Sequence, residues 1–210
     1  MRLVIFGGTG GVGRQVVLQA LEAGHEVTAF ARSPEKLTPH PRLTVVKGQL
    51  GDADGVSKVM EGADAVISAL GARVNTADQV EVFGAAMQKI TAAMKTHGVA
   101  RLVAISGAMV VVTPEDHMTV RRRVVSFLLR SMQKHLARAK EREYEIITAT
   151  GLDWVIVRPP RIVEGPARGD YRVLADRAPS SSISQGDVAD FMLKCVSEDR
   201  WVGKAPIPGY

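Results

Sequence analysis

Apolar residues in the first two-thirds of the chain follow two alternating rhythms. Short, near-continuous runs of strand length stand at Leu3–Phe6, Glu26–Ala31, Leu43–Val46, Ala65–Ala69, Leu102–Ile105 and Trp154–Val157. Continuous rather than alternating runs suit parallel strands covered on both faces. Between them, apolar positions recur at helical spacing over Val12–Ala23, Asp54–Met60, Val80–His97 and a long stretch from about Thr119 to Thr150. Gly24, Gly62, Gly98 and Gly151 each stand just past a helical segment, where a left-handed stop residue belongs. Strands alternating with helices predict an α/β fold with right-handed crossovers and a doubly wound parallel sheet. After Pro159-Pro160 the pattern loosens into a Gly/Pro/Arg-rich loop. A short strand at Tyr171–Leu174, a polar stretch at Ser180–Ser182 and a last helix at Gln185–Ser197 follow. Such a late, irregular segment is expected to close over the substrate side of the sheet.

Composition agrees with one folded unit over all 210 residues. Hydrophobic residues make up 46% and charged residues 23%, which supplies a core and excludes a disordered chain. The lone cysteine, Cys195, excludes a disulfide scaffold or a cysteine-based zinc site, and its apolar helical neighbours make it a core thiol. No uncharged apolar stretch is long enough to span a membrane, and no signal peptide fits the start, so a cytoplasmic location is expected.

The first strand runs directly into Gly7-Gly8-Thr9-Gly10-Gly11-Val12-Gly13 and then a helix. Gly7 permits the tight turn out of the strand, Gly10 lets the backbone approach a pyrophosphate, and Gly13 lets helix and strand pack closely. The open amides of the first helical turn then face an anion. At the end of the second strand, where NAD-binding chains carry a carboxylate for the ribose, this chain has Arg32, Ser33 and Lys36. A guanidinium, a hydroxyl and an ammonium together suit a 2′-phosphate, so NADPH is the expected cofactor.

In combination these features resemble the atypical branch of the short-chain dehydrogenase/reductases, in the NAD(P)H-binding group that contains biliverdin reductase B, or flavin reductase. The resemblance rests on Phe6-Gly7-Gly8-Thr9-Gly10, Ala69-Leu70-Gly71-Ala72-Arg73 and Ala93 to Val99. It continues through Ser106, Gly151-Leu152, Pro159-Pro160-Arg161-Ile162, Ile183-Ser184, and Asp187 with Phe191 to Cys195. It implies a Rossmann-type fold, with Gly7 and Thr9 to Gly13 cradling the pyrophosphate and Arg32, Ser33 and Lys36 on the 2′-phosphate. Gln49 (usually Asp in the group) and Leu50 would flank the adenine. Ala69, Leu70, Gly71 and Arg73 would lie along the ribose and phosphates, Ser106 near the nicotinamide, and Pro159, Pro160 and Ile162 at the carboxamide end. Arg161 stands where the biliverdin-reducing members carry a His and could attract an anionic substrate. The short-chain enzymes also use a Tyr-x-x-x-Lys pair as general acid, and no tyrosine of this chain has a Lys four residues on. That disfavours ordinary ketone reduction, where an alkoxide must gain a proton. Hydride transfer to a flavin, quinone or tetrapyrrole-like acceptor demands less, because the charge delocalises and solvent can supply the proton. FMN or FAD would then be a substrate.

Ser106 is the expected catalytic group, as an orienter of the nicotinamide or a proton relay; a serine satisfying local backbone at a strand end explains it equally well. Ala108 and Met109 are expected to wall the substrate pocket. His97 reads as a cation at a helix C-terminus. A Lys–Glu pair common in relatives is assigned to Lys140 and Glu145, for which an exposed ion pair is as good an explanation as catalysis. No cluster has metal-ligand spacing. Two other readings stay open: a regulator that senses redox state by binding NADP without turnover, and an isomerase or epimerase with bound NADP.

Where the chain departs from the group, over about 115–142, it carries a basic insertion. Arg121-Arg122-Arg123 precede Val124, Val125, Phe127, Leu128, Leu129, Met132 and Leu136 at roughly helical spacing. Segment 121–142 holds eight Lys/Arg and one Glu; without it the net charge of +5 becomes −2, from 19 basic and 21 acidic residues. The basic balance therefore belongs to this helix and not to the nucleotide-binding part. A helix packed on its own domain, a lid or dimer contact, and a membrane or nucleic-acid surface are the competing readings. No aromatic platform accompanies the arginines, so no nucleic acid is expected. The expected partner is a small-molecule acceptor, the chain a monomer or homodimer.

Overall fold

The computed structural model describes residues 1–71, 75–108, 113, 116–117 and 119–210, leaving aside the side chains at 121, 122 and 129. Six parallel strands, β1 (Arg2–Phe6), β2 (Glu26–Ala31), β3 (Leu43–Lys47), β4 (Ala65–Ser68), β5 (Arg101–Ile105) and β6 (Asp153–Val157), form one sheet in the order β3-β2-β1-β4-β5-β6. The order reverses between β1 and β4, which opens a crevice at their carboxyl ends. Every strand expected from an apolar run is present, as are α1 (Gly11–Glu22), α2 (Ala53–Lys58), α3 (Ala77–Thr96) and α6 (Gln185–Ser197).

Both faces of the sheet are buried because successive side chains point to opposite sides. Leu3 and Ile5 join Val16, Val17, Ala20 and Leu21 of α1 and Phe191, Met192 and Cys195 of α6 in one core. Val4 and Phe6 join Met60, Met87, Ile90, Met94 and Ile147 in the other. Cys195 is fully buried, and desolvation pushes its thiol up to about 12. His97 is the C-cap residue of α3, and its Nε2 lies 2.9 Å from Ser57 Oγ. Gly98 and Gly151 have φ of 70° and 74°, the left-handed stops expected before β5 and β6.

The structure differs from the sequence reading in two places. The long helix is in fact two, α4 (Val120–Met132) and α5 (Lys134–Thr148), broken at Gln133. Asn75 holds the break: its Nδ2 donates to Met132 O at the end of α4, and its Oδ1 accepts from the amides of His135 and Leu136 at the start of α5. One distant side chain thus satisfies both new helix ends. The short strand expected at Tyr171–Leu174 is present as β8 (Arg172–Leu174), paired with β10 (Ile207–Gly209). β10, and β7 (Arg161–Val163) paired with β9 (Ser182–Ser184), were not foreseen, because strands of three residues carry no readable periodicity.

Candidate functional site at the carboxyl ends of the strands

Gly7 leaves β1 with φ 80°, and a Cβ there would stand 2.6 Å from Ala69 O. The loop turns back through Gly10 N donating to Gly7 O at 2.9 Å. A Cβ on Gly13 would stand 2.1 Å from that same carbonyl, so α1 sits against the loop with no room for a side chain. Gly10 is the α1 N-cap, no side chain caps it, and the first turn carries no acid. Gly11, Val12 and Gly13 therefore present the open first-turn amides and the positive end of α1 to the crevice. Gln185, opening α6, closes the far side: its Nε2 would be 2.5 Å from a Cβ on Gly11.

One strand over, Arg32 and Lys36 are exposed and Ser33 half-buried beyond the end of β2. Arg32 forms no ion pair among the described residues. Gln49 is exposed beyond β3, and Leu50 packs against the core cluster of Phe30. Ala69 and Leu70 follow β4, with Ala69 N donating to Phe6 O at 2.9 Å, so this loop and the glycine loop run side by side. Gly71 continues it; Arg73 lies outside the described residues, as does Met109.

Ser106 N donates to Val157 O and Ala108 N to Pro159 O, at 2.8 and 3.0 Å. The chain after β5 therefore runs beside the chain after β6, and Ser106, Ala108 and Pro159 come together. Ser106 Oγ is buried and has no hydrogen-bond partner among the described residues. Ser68 Oγ at the end of β4 and Thr113 Oγ1 share that condition. Ala108 is buried, Pro160 half-buried, Ile162 packs into the core beside Ile183, and Arg161 is exposed with its amide on Ser181 O.

Two buried ion pairs brace these loops, and sequence reading missed both. Lys140 Nζ lies 2.6 Å from Glu143 Oε2 and donates to Leu70 O at 2.8 Å and Ile105 O at 2.9 Å. It ties the loop after β4 to the end of β5. Burial pushes the Glu143 carboxyl above its ordinary value, and the Lys140 ammonium only partly opposes it. This corrects the assignment of Glu145, which instead faces Arg142 at 3.1 Å on the exposed side of α5. The signal was available: Lys140 and Glu143 fall in the buried register of Ala137 and Ile147. Arg158, after β6, is wholly buried and holds Asp116 through both carboxylate oxygens, at 2.6 and 3.2 Å, while donating to Ala205 O and Ala175 O.

The segment that follows is pinned by Asp187. Its carboxylate accepts from the amides of Arg168 and Gly169 and the hydroxyls of Ser184 and Tyr210. Burial would raise its pKa; the Gly169 amide, the Tyr210 and Ser184 hydroxyls and the Arg168 amide outweigh that and hold it below its ordinary value. Tyr171 gives its hydroxyl to Asp190, and Tyr144 packs its ring edge-on against Trp154. Four residues before Lys140 stands Leu136, not a tyrosine. Among the described residues there is no group of three or more His, Cys, Asp or Glu that could hold a metal, and no helix long and apolar enough to cross a membrane.

Comparison with known proteins supplies the context for this geometry. A family model described as NAD(P)H-binding matches residues 7–199. A (4-alkanoyl-5-oxo-2,5-dihydrofuran-3-yl)methyl phosphate reductase of Streptomyces griseus is 28% identical over 97% of this chain and 66% of its own length. The chain spans only 18 to 21% of the length of mycobacterial 3β-hydroxysteroid dehydrogenases that match over shorter stretches. Among solved structures, a wide-type short-chain dehydrogenase/reductase of Veillonella parvula, in complex with NADP, superposes with TM-score 0.81 at 15% identity, over 100% of this chain and 94% of that one. ChuY, an anaerobilin reductase of Escherichia coli O157:H7, superposes with TM-score 0.78 at 18% identity, over 99% and 96%.

Proposed function

Since the chain belongs to the NAD(P)H-binding family, we propose that it is an NADPH-dependent reductase of a planar, conjugated acceptor such as a flavin, a quinone or a tetrapyrrole-like pigment. The observation that carries the reading is the pairing of a loop with no room for a Cβ at Gly7 and Gly13 with Arg32, in place of a carboxylate, directly after β2. Bound NADPH supplies a hydride at nicotinamide C4. The residues supply the rest. The loop from Thr9 to Gly13, with the open amides of Gly11, Val12 and Gly13, holds the pyrophosphate, and Arg32, Ser33 and Lys36 take the 2′-phosphate. Gln49 and Leu50 border the adenine, Ala69 to Gly71 with Arg73 the ribose and phosphates. Pro159, Pro160 and Ile162 border the carboxamide, and the unpartnered Ser106 hydroxyl donates to or accepts from the nicotinamide end.

The acceptor class follows from what the site lacks. Lys140 spends its ammonium on two carbonyls and Glu143. Tyr171 and Tyr210 have hydroxyls committed to Asp190 and Asp187. With Lys140, Tyr171 and Tyr210 committed elsewhere, an acceptor that delocalises the incoming electron pair and takes its proton from solvent fits best. The similar S. griseus reductase acts on an unsaturated ring conjugated to carbonyls, which supports that class. Ala108 and Met109 would wall the acceptor and Arg161 would draw an anionic one.

Steady-state oxidation of NADPH against FMN, FAD, quinones and biliverdin tests the reading. Turnover with at least one of them is expected. Tight NADPH binding with no turnover across the panel would overturn it and favour a redox-sensing regulator.

A further inference from the structure

Helix α4 is built inside out. Val120, Val124, Phe127, Leu128 and Met132 recur at the spacing of one helical face. That face points away from the protein: Val120 is 79% exposed, Phe127 69% and Met132 76%. Among the described side chains of α4, those turned toward the protein are polar. Ser126 is buried, and Arg130 pairs with Glu141 of α5. A helix packed on its own domain, one of the readings open from sequence, would show the reverse arrangement. An exposed apolar face of this kind marks a surface that something else covers.

Charge identifies the cover. The helix contains four arginines and no acidic residue. Arg123 and Lys134, the latter at the start of α5, are exposed beside the apolar face. A two-fold contact between copies would set arginine against arginine, at a cost in like-charge repulsion. A nucleic acid would meet the arginines and leave the valines and Phe127 in water. An anionic phospholipid surface satisfies both: acyl chains for the apolar face, headgroups for the cations.

Position adds a second argument. The helix begins just after Asp116, which is fixed to Arg158 at the end of β6, and ends where Asn75, in the loop after β4, caps it. The helix, about 20 Å long, is thus anchored at both ends, with α5 packed against it, so its apolar face is held in place on the surface.

We propose that α4 is an in-plane docking helix for an anionic lipid bilayer. The inference does not depend on which acceptor is reduced, because its readout is binding. The full chain should co-sediment with vesicles of phosphatidylcholine mixed with phosphatidylglycerol, much less with phosphatidylcholine alone, and less as salt rises. Arg123→Glu changes the local charge by two and should lower partitioning about 30-fold. Phe127→Ser should lower it by loss of apolar contact. Both variants should keep the melting temperature and NADPH affinity of the parent. No binding to either vesicle, or binding that neither substitution weakens, would overturn the proposal. So would a concentration-dependent dimer that Phe127→Ser dissociates, which would give the face to a second copy.

Discussion

Lys140 and Glu143, one turn apart on α5, form a buried ion pair whose ammonium also holds the Leu70 and Ile105 carbonyls. Removing one partner strands a charge in a dry site, whereas removing both does not. Lys140→Met should therefore cost about 3–5 kcal/mol of stability, and Lys140→Met with Glu143→Leu should recover much of that. The double variant should still bind NADPH more weakly than the parent, because Leu70 and Ile105 are no longer tied together. Denaturant titration and a cofactor titration of the three proteins check both halves; a double variant no more stable than the single would refute the assignment.

Arg32→Asp puts a carboxylate where a 2′-phosphate is expected to sit. It should weaken NADPH about 100-fold, from one lost charge-assisted bond and one new repulsion, and leave NADH nearly unchanged. Calorimetric titration with each nucleotide decides; equal loss for both would remove Arg32, Ser33 and Lys36 from the 2′-phosphate.

The Ser106 hydroxyl is buried with no partner among the described residues, so its removal costs the fold no hydrogen bond of its own. Ser106→Ala should hold its stability within about 0.5 kcal/mol, or gain slightly, while kcat for NADPH oxidation falls and NADPH affinity changes little. A variant that loses stability without losing kcat would return Ser106 to a purely structural role.

Asp187 carries the acid sensitivity of the carboxyl-terminal segment. Its carboxyl titrates below its ordinary value in the folded chain. The stability it contributes is thus complete above the unfolded aspartate value of about 3.9 and lost as pH falls from there through the folded value. Asp187→Asn should flatten this part of the acid limb while lowering stability at neutral pH. Equilibrium unfolding at a series of pH values shows whether the acid limb changes; an unchanged slope would contradict the assignment.

Much of the scaffold was legible because parallel strands covered on both faces write themselves as apolar runs, and the glycine loop announces its own geometry at Gly7, Gly10 and Gly13. The braces were not. Arg158 finds Asp116 from 42 residues away, and Asn75 breaks the α4–α5 helix from 57 to 61 residues away. No local pattern records such partnerships. Lys140 and Glu143 were readable in principle, as charges in a buried helical register, but Glu145 offered the same residue type two positions on. The outward turn of the α4 face was also beyond periodicity, which gives the stripe but not its direction.

The central claim, hydride passage from NADPH held by the glycine cradle, is tested most directly by single-turnover oxidation of the bound cofactor deuterated at C4. With an acceptor that turns over, deuterium on one face of the nicotinamide should slow the oxidation and deuterium on the other should not. Gly13→Ala, whose added carbon would meet the Gly7 carbonyl, should abolish the reaction by removing the cofactor. Oxidation at an unchanged rate with either label, or full activity in Gly13→Ala, would contradict the account.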